Sequence, residues 1–277
     1  MANAKPTIGF LGLGAMGCHM AQHLQRVGYT VLAFDPQPDR LEASTATGCI
    51  AAGSEAAVVD QAEIVMTSLP SSTVLVRVAK AHLIPLLRRG QLVIDLGTTG
   101  VAQTRQFAAT LAAKGADWVD APVSGGPGGA ERADLRIFVG GTPEGVARSL
   151  PILRVLGASE RVVVCGPAGS GQLVKGANQL AMGLGAAAYL EALFYAVQGG
   201  VDPQVIMQAV GGTEPWRQHF AAVAGQVIQG RSERVDAKLP ELPLFLAEAH
   251  AQGFSIPLTE ALHGFCEGGD QIGRAHV

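Results

Sequence analysis

Gly9-Phe-Leu-Gly-Leu-Gly-Ala-Met-Gly17 is the stretch that decides the fold of this chain. An apolar run ending at Leu11 predicts a buried strand, and apolar residues at helical spacing then continue to Gly28 and predict a helix. Between them lies the spacing G-x-G-x-x-G. In such a strand–turn–helix unit the first glycine permits the tight turn. The second lets a pyrophosphate approach the backbone, and the third lets the helix pack on the strand. The stretch therefore predicts a dinucleotide site with phosphates at a helix N-terminus.

A second apolar strand, residues 30–34, ends at Asp35, which lies 18 residues after Gly17. A carboxylate about 20 residues beyond the glycines accepts hydrogen bonds from the adenosine ribose hydroxyls. An Asp before Pro36 is equally compatible with a helix cap or a turn, and both roles stay open. Because Asp35 would repel a 2′-phosphate and Arg40 is the only nearby cation, NAD is favoured over NADP.

The composition indicates a globular chain with a sizeable core. Of 277 residues, 48% are hydrophobic and 16% are charged, and the glycines follow no collagen-like period. The net charge of −3 without a basic patch argues against nucleic acid as a partner. The four cysteines lack metal-binding spacing, so we expect no metal and reduced, mostly buried thiols. No signal peptide is evident, which favours a cytoplasmic protein.

The pattern of elements predicts an α/β fold with a Rossmann-type, doubly wound parallel sheet, followed by an all-α region. In the first part, short apolar runs alternate with helical patterns, as in parallel strands joined by right-handed crossovers. Residues 171–198 form a helix long enough to span a bilayer. Its polar interruptions favour a buried helix between two domains instead. We therefore predict a dinucleotide-binding domain over 1–165 and an all-α substrate and oligomerisation domain over 166–277.

Further candidate residues follow the predicted strands. Ligands of open α/β sheets bind beyond the carboxyl ends of the strands, so Leu69-Pro70 and Thr98-Thr99 should border the same crevice as the glycines. The two threonines could contact the nicotinamide or the substrate, or could cap the helix that begins near Val101. Residues 121–130 are too glycine-rich for a packed element. Their backbone N–H groups and the Ser124 hydroxyl could bind a carboxylate, or the segment could be a flexible connector.

Lys175, Asn178 and Gln179 share one face of the long helix, because they lie three and four residues apart. A lysine on an apolar helix is costly unless it is paired or used. Burial, the positive helix N-terminus and a nearby nicotinium would each lower its pKa from about 10.4 towards the working pH. We predict that Lys175 protonates a carbonyl oxygen as hydride arrives, and that Asn178 or Gln179 orients the substrate. A surface lysine with an extended side chain is the alternative.

Three motifs together resemble those of the β-hydroxyacid dehydrogenase family. They are the glycine stretch 9–17, Asp120-Ala-Pro-Val-Ser-Gly-Gly126, and Gly169-x-Gly171 with Lys175-x-x-Asn178-Gln179. The resemblance implies a Rossmann domain, a long interdomain helix, an all-α domain and a homodimer or homotetramer. It also implies a small substrate that bears a carboxylate.

The resemblance assigns roles to individual positions. The family's catalytic lysine maps onto Lys175, and its substrate-orienting amide maps onto Gln179 with Asn178 beside it. Its substrate-carboxylate loop maps onto Ser124, Gly125 and Gly126. Residues 12–17 of the glycine stretch form the glycine loop. With them, the predicted cofactor-binding residues are Gly12, Leu13, Gly14, Ala15, Met16, Gly17, Asp35, Leu69, Pro70 and Thr98.

These assignments predict an NAD(P)-dependent oxidoreductase, with NAD favoured, that interconverts a small 3-hydroxy acid and its semialdehyde. Lys175 is the general acid and base of this reaction, and neither a membrane nor a nucleic acid is an expected partner. Two alternatives remain: a catalytically weak dinucleotide-binding scaffold, and an imine reductase on the same scaffold. Lys175 argues against both, because the scaffold relatives have lost this lysine and imine reductases typically carry Asp or Tyr in its place. The absence of the family's Lys-Asp pair before Leu242 argues for the scaffold.

The chain departs from the family pattern at three places. Ala133-Asp134-Leu135 stands where the family has Gly-Thr-Leu, and Glu241-Leu242 stands where it has Lys-Asp-Leu. Lys238 is the nearest lysine to the second position, three residues early. Residues 272–277 end the chain in place of the family's further segment, and we interpret them as a non-native tail.

Overall fold

The computed structural model of the chain describes residues 5–231 and 240–267. Lys238 and the tail 272–277 lie outside the described residues. The chain divides into two compact units, Met1–Lys175 and Gly176–Val277. The predicted domain boundary after residue 165 stays a prediction.

The first unit contains all the strands of the described residues. These are β1 (Ile8–Leu11), β2 (Val31–Phe34), β3 (Ile50–Ala51), β4 (Ile64–Thr67), β5 (Leu92–Asp95), β6 (Asp117–Asp120), β7 (Val123–Ser124), β8 (Arg136–Gly140) and β9 (Val162–Gly166). Its helices are α1 (Gly17–Arg26), α2 (Pro38–Ala46), α3 (Glu55–Gln61), α4 (Ser72–Val78), α5 (Ile84–Leu86), α6 (Val101–Ala112), α7 (Gly126–Glu131) and α8 (Pro143–Leu156).

The helix α9 (Ser170–Gln198) begins in the first unit and continues into the second. The described part of the second unit also contains α10 (Pro203–Val210), α11 (Pro215–Ile228), α12 (Leu242–Ala251) and α13 (Pro257–Glu267). Leu190 and Leu193 of α9 pack there against Ile206, Phe220 and Ala224 in one apolar cluster. The predicted all-α second region is confirmed.

The strands form one sheet in the order β3-β2-β1-β4-β5-β6-β8-β7, with β9 paired to β8. All pairs from β3 to β6 are parallel, which confirms the predicted crossovers. Strand β8 instead runs antiparallel to β6 and β7. The 6-residue helix α7 that precedes β8 is too short to return along the sheet as a parallel crossover requires.

Each face of the sheet carries an apolar core, as a doubly wound sheet requires. On one face Met20 and Leu24 of α1 pack with Leu153 of α8. On the other face Phe107 of α6 packs on Trp118 of β6 with ring centroids 5.2 Å apart. The strands read as continuous apolar runs because both of their faces are covered.

The sequence patterns missed β3 and the helical segment from α4 to α5. The N-cap of α4 is Ser71, whose hydroxyl accepts a hydrogen bond from the Val74 N–H at 3.3 Å. A run of β-branched residues then conceals the helix, because such residues have low helix propensity. A π-helical turn, Ala79–Leu83, links α4 to α5.

The expectation that residues 121–130 form an unpacked, glycine-rich loop is wrong. Val123 and Ser124 pair with β8 as β7, and α7 follows directly. Gly125 turns the chain between them with φ 136°, a conformation that disfavours other residues. A Cβ on Gly129 would lie 3.3 Å from Leu135 Cδ2, so glycine here allows α7 to pack closely.

Two expectations about burial are also wrong. In the most apolar 18-residue segment of α9, 17% is buried inside the chain. The expectation that this helix is buried within the single chain is therefore wrong. Its length and mean hydropathy of 1.6 would by themselves allow it to cross a bilayer. Among the four cysteines, Cys49 is buried and the other three are partly exposed, so the thiols are not mostly buried.

Candidate active site

A cavity of about 490 Å³ lies at the carboxyl ends of β1, β2 and β4, the point where the order of the strands reverses. Open α/β sheets bind ligands at this point, and the volume suits a small-molecule site. Eight of the ten predicted cofactor-binding residues line it: Gly12, Gly14, Ala15, Met16, Gly17, Asp35, Leu69 and Pro70.

The three glycines of the motif have different surroundings. A Cβ on Gly12 would lie 2.3 Å from the Ser68 carbonyl oxygen, and one on Gly17 would lie 2.0 Å from the Gly12 carbonyl oxygen. A Cβ on Gly14 would meet Arg40 Nη1 at 3.9 Å. The protein itself therefore requires glycine at 12 and 17. The free space at 14 fits a phosphate group that approaches the backbone, as the dinucleotide prediction requires.

Alanine substitutions at Gly14 and Gly17 distinguish an effect on NADH binding from an effect on protein stability. We expect Gly14→Ala to fold normally but to weaken NADH binding about ten- to hundredfold, because the methyl group enters the space of the phosphates. Gly17→Ala should instead lower the free energy of unfolding by about 3 kcal/mol, since its Cβ would clash with backbone. Urea unfolding and NADH fluorescence titration measure the two effects. Unchanged NADH affinity in Gly14→Ala would contradict the phosphate assignment.

The buried carboxylate of Asp35 is part of the turn that holds the glycine loop. Its Oδ2 accepts the Leu13 N–H at 2.7 Å and its Oδ1 accepts the Gln37 N–H at 2.9 Å. Arg40 Nη1 lies 3.8 Å from Oδ2. Asp35 thus acts as a turn residue, and Gln37 is the N-cap of α2. Leu13 is buried away from the cavity and contributes its backbone N–H to this turn.

The two threonines after β5 differ in their surroundings. Thr98 is partly exposed beyond the carboxyl end of the strand. Thr99 is buried, and its Oγ1 donates to Asp95 Oδ2 at 3.2 Å. Neither threonine caps α6, because the N-cap residue is Gly100.

Asp95 is the buried acceptor that fixes the segment after β5. Its Oδ1 accepts from Thr67 Oγ1 at 2.8 Å and from the Gly97 N–H at 3.1 Å. Burial raises the pKa of Asp95 to about 7, although the donors from Thr67, Gly97 and Thr99 oppose this shift. The charge at the carboxyl end of β5 therefore changes near neutral pH.

Asp120, at the end of β6, holds the beginning of α9. Its Oδ1 accepts the Gly169 N–H at 2.8 Å and its Oδ2 accepts the Gln172 N–H at 3.0 Å. Burial raises the pKa of Asp120, and these backbone donors oppose the shift. A Cβ on Gly171 would lie 2.3 Å from the Phe138 carbonyl oxygen and 2.8 Å from Asp120 Oδ2. The glycine of this motif therefore permits the close approach of α9 to the sheet.

Lys175 lies on the first part of α9 and is 8% exposed, so it is not an extended surface lysine. Its Nζ donates to the Val123 carbonyl oxygen at 2.8 Å. Val123 immediately precedes the partly exposed Ser124, and the exposed Gly125 and Gly126 follow. The structure therefore places the lysine amine beside the segment predicted to bind the substrate carboxylate.

Asn178 and Gln179 follow one helical turn after Lys175, within the second unit. Asn178 is partly exposed, and its Nδ2 lies 3.5 Å from Met182 Sδ. Gln179 is 9% exposed, and its Oε1 has no hydrogen-bond partner among the described residues. An unsatisfied buried amide oxygen is uncommon in proteins and is consistent with a ligand contact.

The sequence analysis missed several residues of this region. Val74, Arg77 and Val78 line the cavity from α4, a helix that the patterns did not reveal. Gln172 lies between Gly171 and Lys175 of the third motif, and no role was predicted for it. The N-cap serine of α4, Ser71, was the sequence signal that could have revealed the three residues of this helix. The hydrogen bonds of Gln172 join residues far apart in the chain, so no local sequence pattern indicates them.

The glycine loop, the carboxylate after β2 and the cavity between them define an NAD(P)-binding Rossmann unit. Comparison with protein-family models agrees. Residues 7–166 match the NAD binding domain of 6-phosphogluconate dehydrogenase. Residues 169–276 match the NAD-binding domain of NADP-dependent 3-hydroxyisobutyrate dehydrogenase.

Individual proteins are similar along most of their length. The 3-hydroxyisobutyrate dehydrogenase of Pseudomonas aeruginosa is 34% identical over an alignment that covers 91% of this chain and 88% of that protein. The 2-(hydroxymethyl)glutarate dehydrogenase of Eubacterium barkeri is 32% identical over 91% of this chain and 78% of that protein. The solved 3-hydroxyisobutyrate dehydrogenase of Mycobacterium tuberculosis superposes with a TM-score of 0.80 at 28% identity, covering 95% and 93% of the two chains. The chain belongs to the β-hydroxyacid dehydrogenase family.

Proposed function

We propose that the chain reduces a small semialdehyde that bears a carboxylate to its 3-hydroxy acid, and catalyses the reverse oxidation, with NAD as the favoured cofactor. The observation that carries this proposal is the buried amine of Lys175, 2.8 Å from the Val123 carbonyl oxygen and next to Ser124. A buried amine beside the exposed backbone between β7 and α7 is suited to a substrate with both a carbonyl and a carboxylate group.

Each residue has a defined part in the proposed reaction. NADH, when bound, would supply a hydride to the carbonyl carbon of the substrate, and the carbonyl oxygen would gain a proton. Lys175 Nζ donates this proton in the reductive direction and removes it from the hydroxyl group in the oxidative direction. The Ser124 hydroxyl and the N–H groups of Gly125 and Gly126 bind the carboxylate. The Gln179 amide, with Asn178 beside it, orients the substrate.

The cofactor residues also support the proposal. Gly14, Ala15, Met16 and Gly17 line the cavity where α1 begins, and the N-cap Met16 makes no side-chain hydrogen bond to the helix. A helix N-terminus is suited to phosphate groups. Asp35 lines the cavity and is proposed to accept hydrogen bonds from the adenosine ribose hydroxyls. Leu69, Pro70 and Thr98 are proposed to contact the nicotinamide half.

A substrate panel tests the function and the cofactor together. We expect NADH oxidation with semialdehydes of short 3-hydroxy acids, including tartronate semialdehyde, and no turnover of cyclic imines. Because Asp35 disfavours a 2′-phosphate, kcat/KM should be at least about tenfold higher with NADH than with NADPH. Asp35→Ser should narrow that ratio by lowering turnover with NADH. Turnover of cyclic imines but not of semialdehydes would contradict the proposed reaction, and a preference for NADPH would contradict the role of Asp35.

The exposed apolar surface of α9 supports the proposed homo-oligomer. Tyr195 is 83% exposed, and Met182 and Phe194 on the same helix are also exposed. Burying such residues against a second copy would remove apolar surface from water. We propose a cytoplasmic homodimer or homotetramer.

A further inference from the structure

The side chain of Gln172 connects two parts of the site that the proposed mechanism uses separately. It is 2% exposed at the beginning of α9. Its Oε1 accepts the Thr99 N–H at 3.0 Å, and its Nε2 donates to the Gly97 carbonyl oxygen at 2.9 Å. A single amide thus binds the backbone on both sides of Thr98.

The backbone of Gln172 is fixed as firmly as its side chain. Its N–H donates to Asp120 Oδ2 at 3.0 Å, so the residue is tied to the end of β6 while its amide is tied to the segment after β5. Lys175 follows three residues later on the same face of α9. A displacement of this first helical turn would therefore move the Lys175 amine relative to Thr98.

We propose that Gln172 is a positioning residue that sets the distance between the segment carrying Thr98 and the amine of Lys175. The inference rests on the proposed function, in which Thr98 contacts the nicotinamide and Lys175 transfers the proton. Gln172 touches neither substrate nor cofactor. Its effect is exerted on the rate of the chemical step, since displacement of reacting groups by about 1 Å can lower a rate about a hundredfold.

The hydrogen-bond pattern makes glutamine specific at this position. A methionine fills a similar volume but cannot donate to one backbone group and accept from the other. A glutamate can do both only when its carboxyl group is protonated, because an ionised carboxylate has no proton to donate to the Gly97 carbonyl oxygen. The charged groups around this position are Asp95 after β5, Asp120 after β6, Arg105 beside Gly169 and Lys175 on α9 itself.

The chain offers a matched control in Gln91. It is 6% exposed, and its Nε2 donates to the carbonyl oxygens of Val59 and Ala62 at 2.8 and 2.7 Å. It immediately precedes β5, at the opposite end of the strand from Asp95. Gln91→Met therefore removes a similar buried amide from the same domain but away from the site.

The experiment compares Gln172→Met, Gln172→Glu and Gln91→Met with the wild type. We expect kcat per folded molecule to fall about a hundredfold in Gln172→Met, with KM and the NADH dissociation constant changed by less than about threefold. Gln91→Met should retain kcat. For Gln172→Glu, kcat relative to wild type at the same pH should rise as the pH falls, because protonation of the introduced carboxyl group restores the donor to the Gly97 carbonyl oxygen.

Hydrogen exchange with residue resolution provides a readout that needs no turnover. The Thr99 N–H should exchange about tenfold faster in Gln172→Met than in the wild type and should be unchanged in Gln91→Met. Three results would overturn the proposal: unchanged Thr99 exchange, equal losses of kcat in Gln172→Met and Gln91→Met, or a pH-independent ratio for Gln172→Glu. If the wild type shows no semialdehyde turnover, the proposed function fails, and the exchange measurement still decides whether Gln172 holds the Thr98 segment.

Discussion

Lys175→Met is expected to lower kcat by about a thousandfold, the range for loss of a general acid–base group, while the NADH dissociation constant changes by less than about threefold. The side chain is 8% exposed and its Nζ donates to the Val123 carbonyl oxygen, so the amine lies in the protein and not in bulk water. Methionine keeps the apolar stem and removes the proton donor. Steady-state kinetics and fluorescence titration separate the chemical step from cofactor binding.

Lys114 is a suitable control for this substitution. Its Nζ donates to the carbonyl oxygens of Ile84 and Pro85 at the protein surface. Lys114→Met also removes a lysine that binds backbone carbonyls, and it should leave kcat unchanged. If Lys175→Met kept wild-type kcat, Lys175 would have no part in proton transfer and the scaffold alternative would be favoured.

Gly171→Ala is expected to lower the free energy of unfolding by about 3 kcal/mol or more. The added Cβ would lie 2.3 Å from the Phe138 carbonyl oxygen, and Asp120 Oδ2 would be 2.8 Å away. Neither group can move without disturbing the sheet or the hydrogen bonds that begin α9. The folded fraction should also lose turnover, since the helix that carries Lys175 would be displaced. Urea unfolding and kcat per folded molecule measure both effects.

Gly264 in α13 provides the comparison for this variant. Apart from its chain neighbours and the backbone of its own helix, a Cβ there would lie more than 4 Å from any atom in the described part of the chain. Gly264→Ala should therefore be neutral or raise the free energy of unfolding by up to about 1 kcal/mol, because alanine favours a helix more than glycine does. Equal stabilities of the two alanine variants would contradict the close approach of α9 to the sheet.

The sequence predicted most of the fold because its signals are local. Glycines at 12, 14 and 17 follow an apolar run and precede a helical pattern, and a strand–turn–helix unit needs no distant contact to be recognised. The pattern failed where tertiary packing decides the structure. Helix α4 contains β-branched residues that favour strands, and α7 contains glycines that favour loops, yet both are held as helices by their surroundings.

In the candidate site, too, the residues with local sequence signals were predicted and the long-range contacts were not. Gly14, Asp35 and Lys175 could be assigned from motifs and spacing. The bonds from Gln172 to Gly97 and Thr99 could not, because they join residues more than 70 positions apart. The same holds for the buried carboxylate of Asp95, whose pKa of about 7 results from burial that only the folded chain reveals.

The most direct test of the account is the rate of hydride transfer in a single turnover, with enzyme in excess over semialdehyde and with NADH carrying either hydrogen or deuterium at the transferred position. The account predicts an NADH oxidation phase in the wild type that slows with deuterium, and the loss of that phase in Lys175→Met while NADH still binds. An oxidation phase of equal rate in both proteins would contradict it.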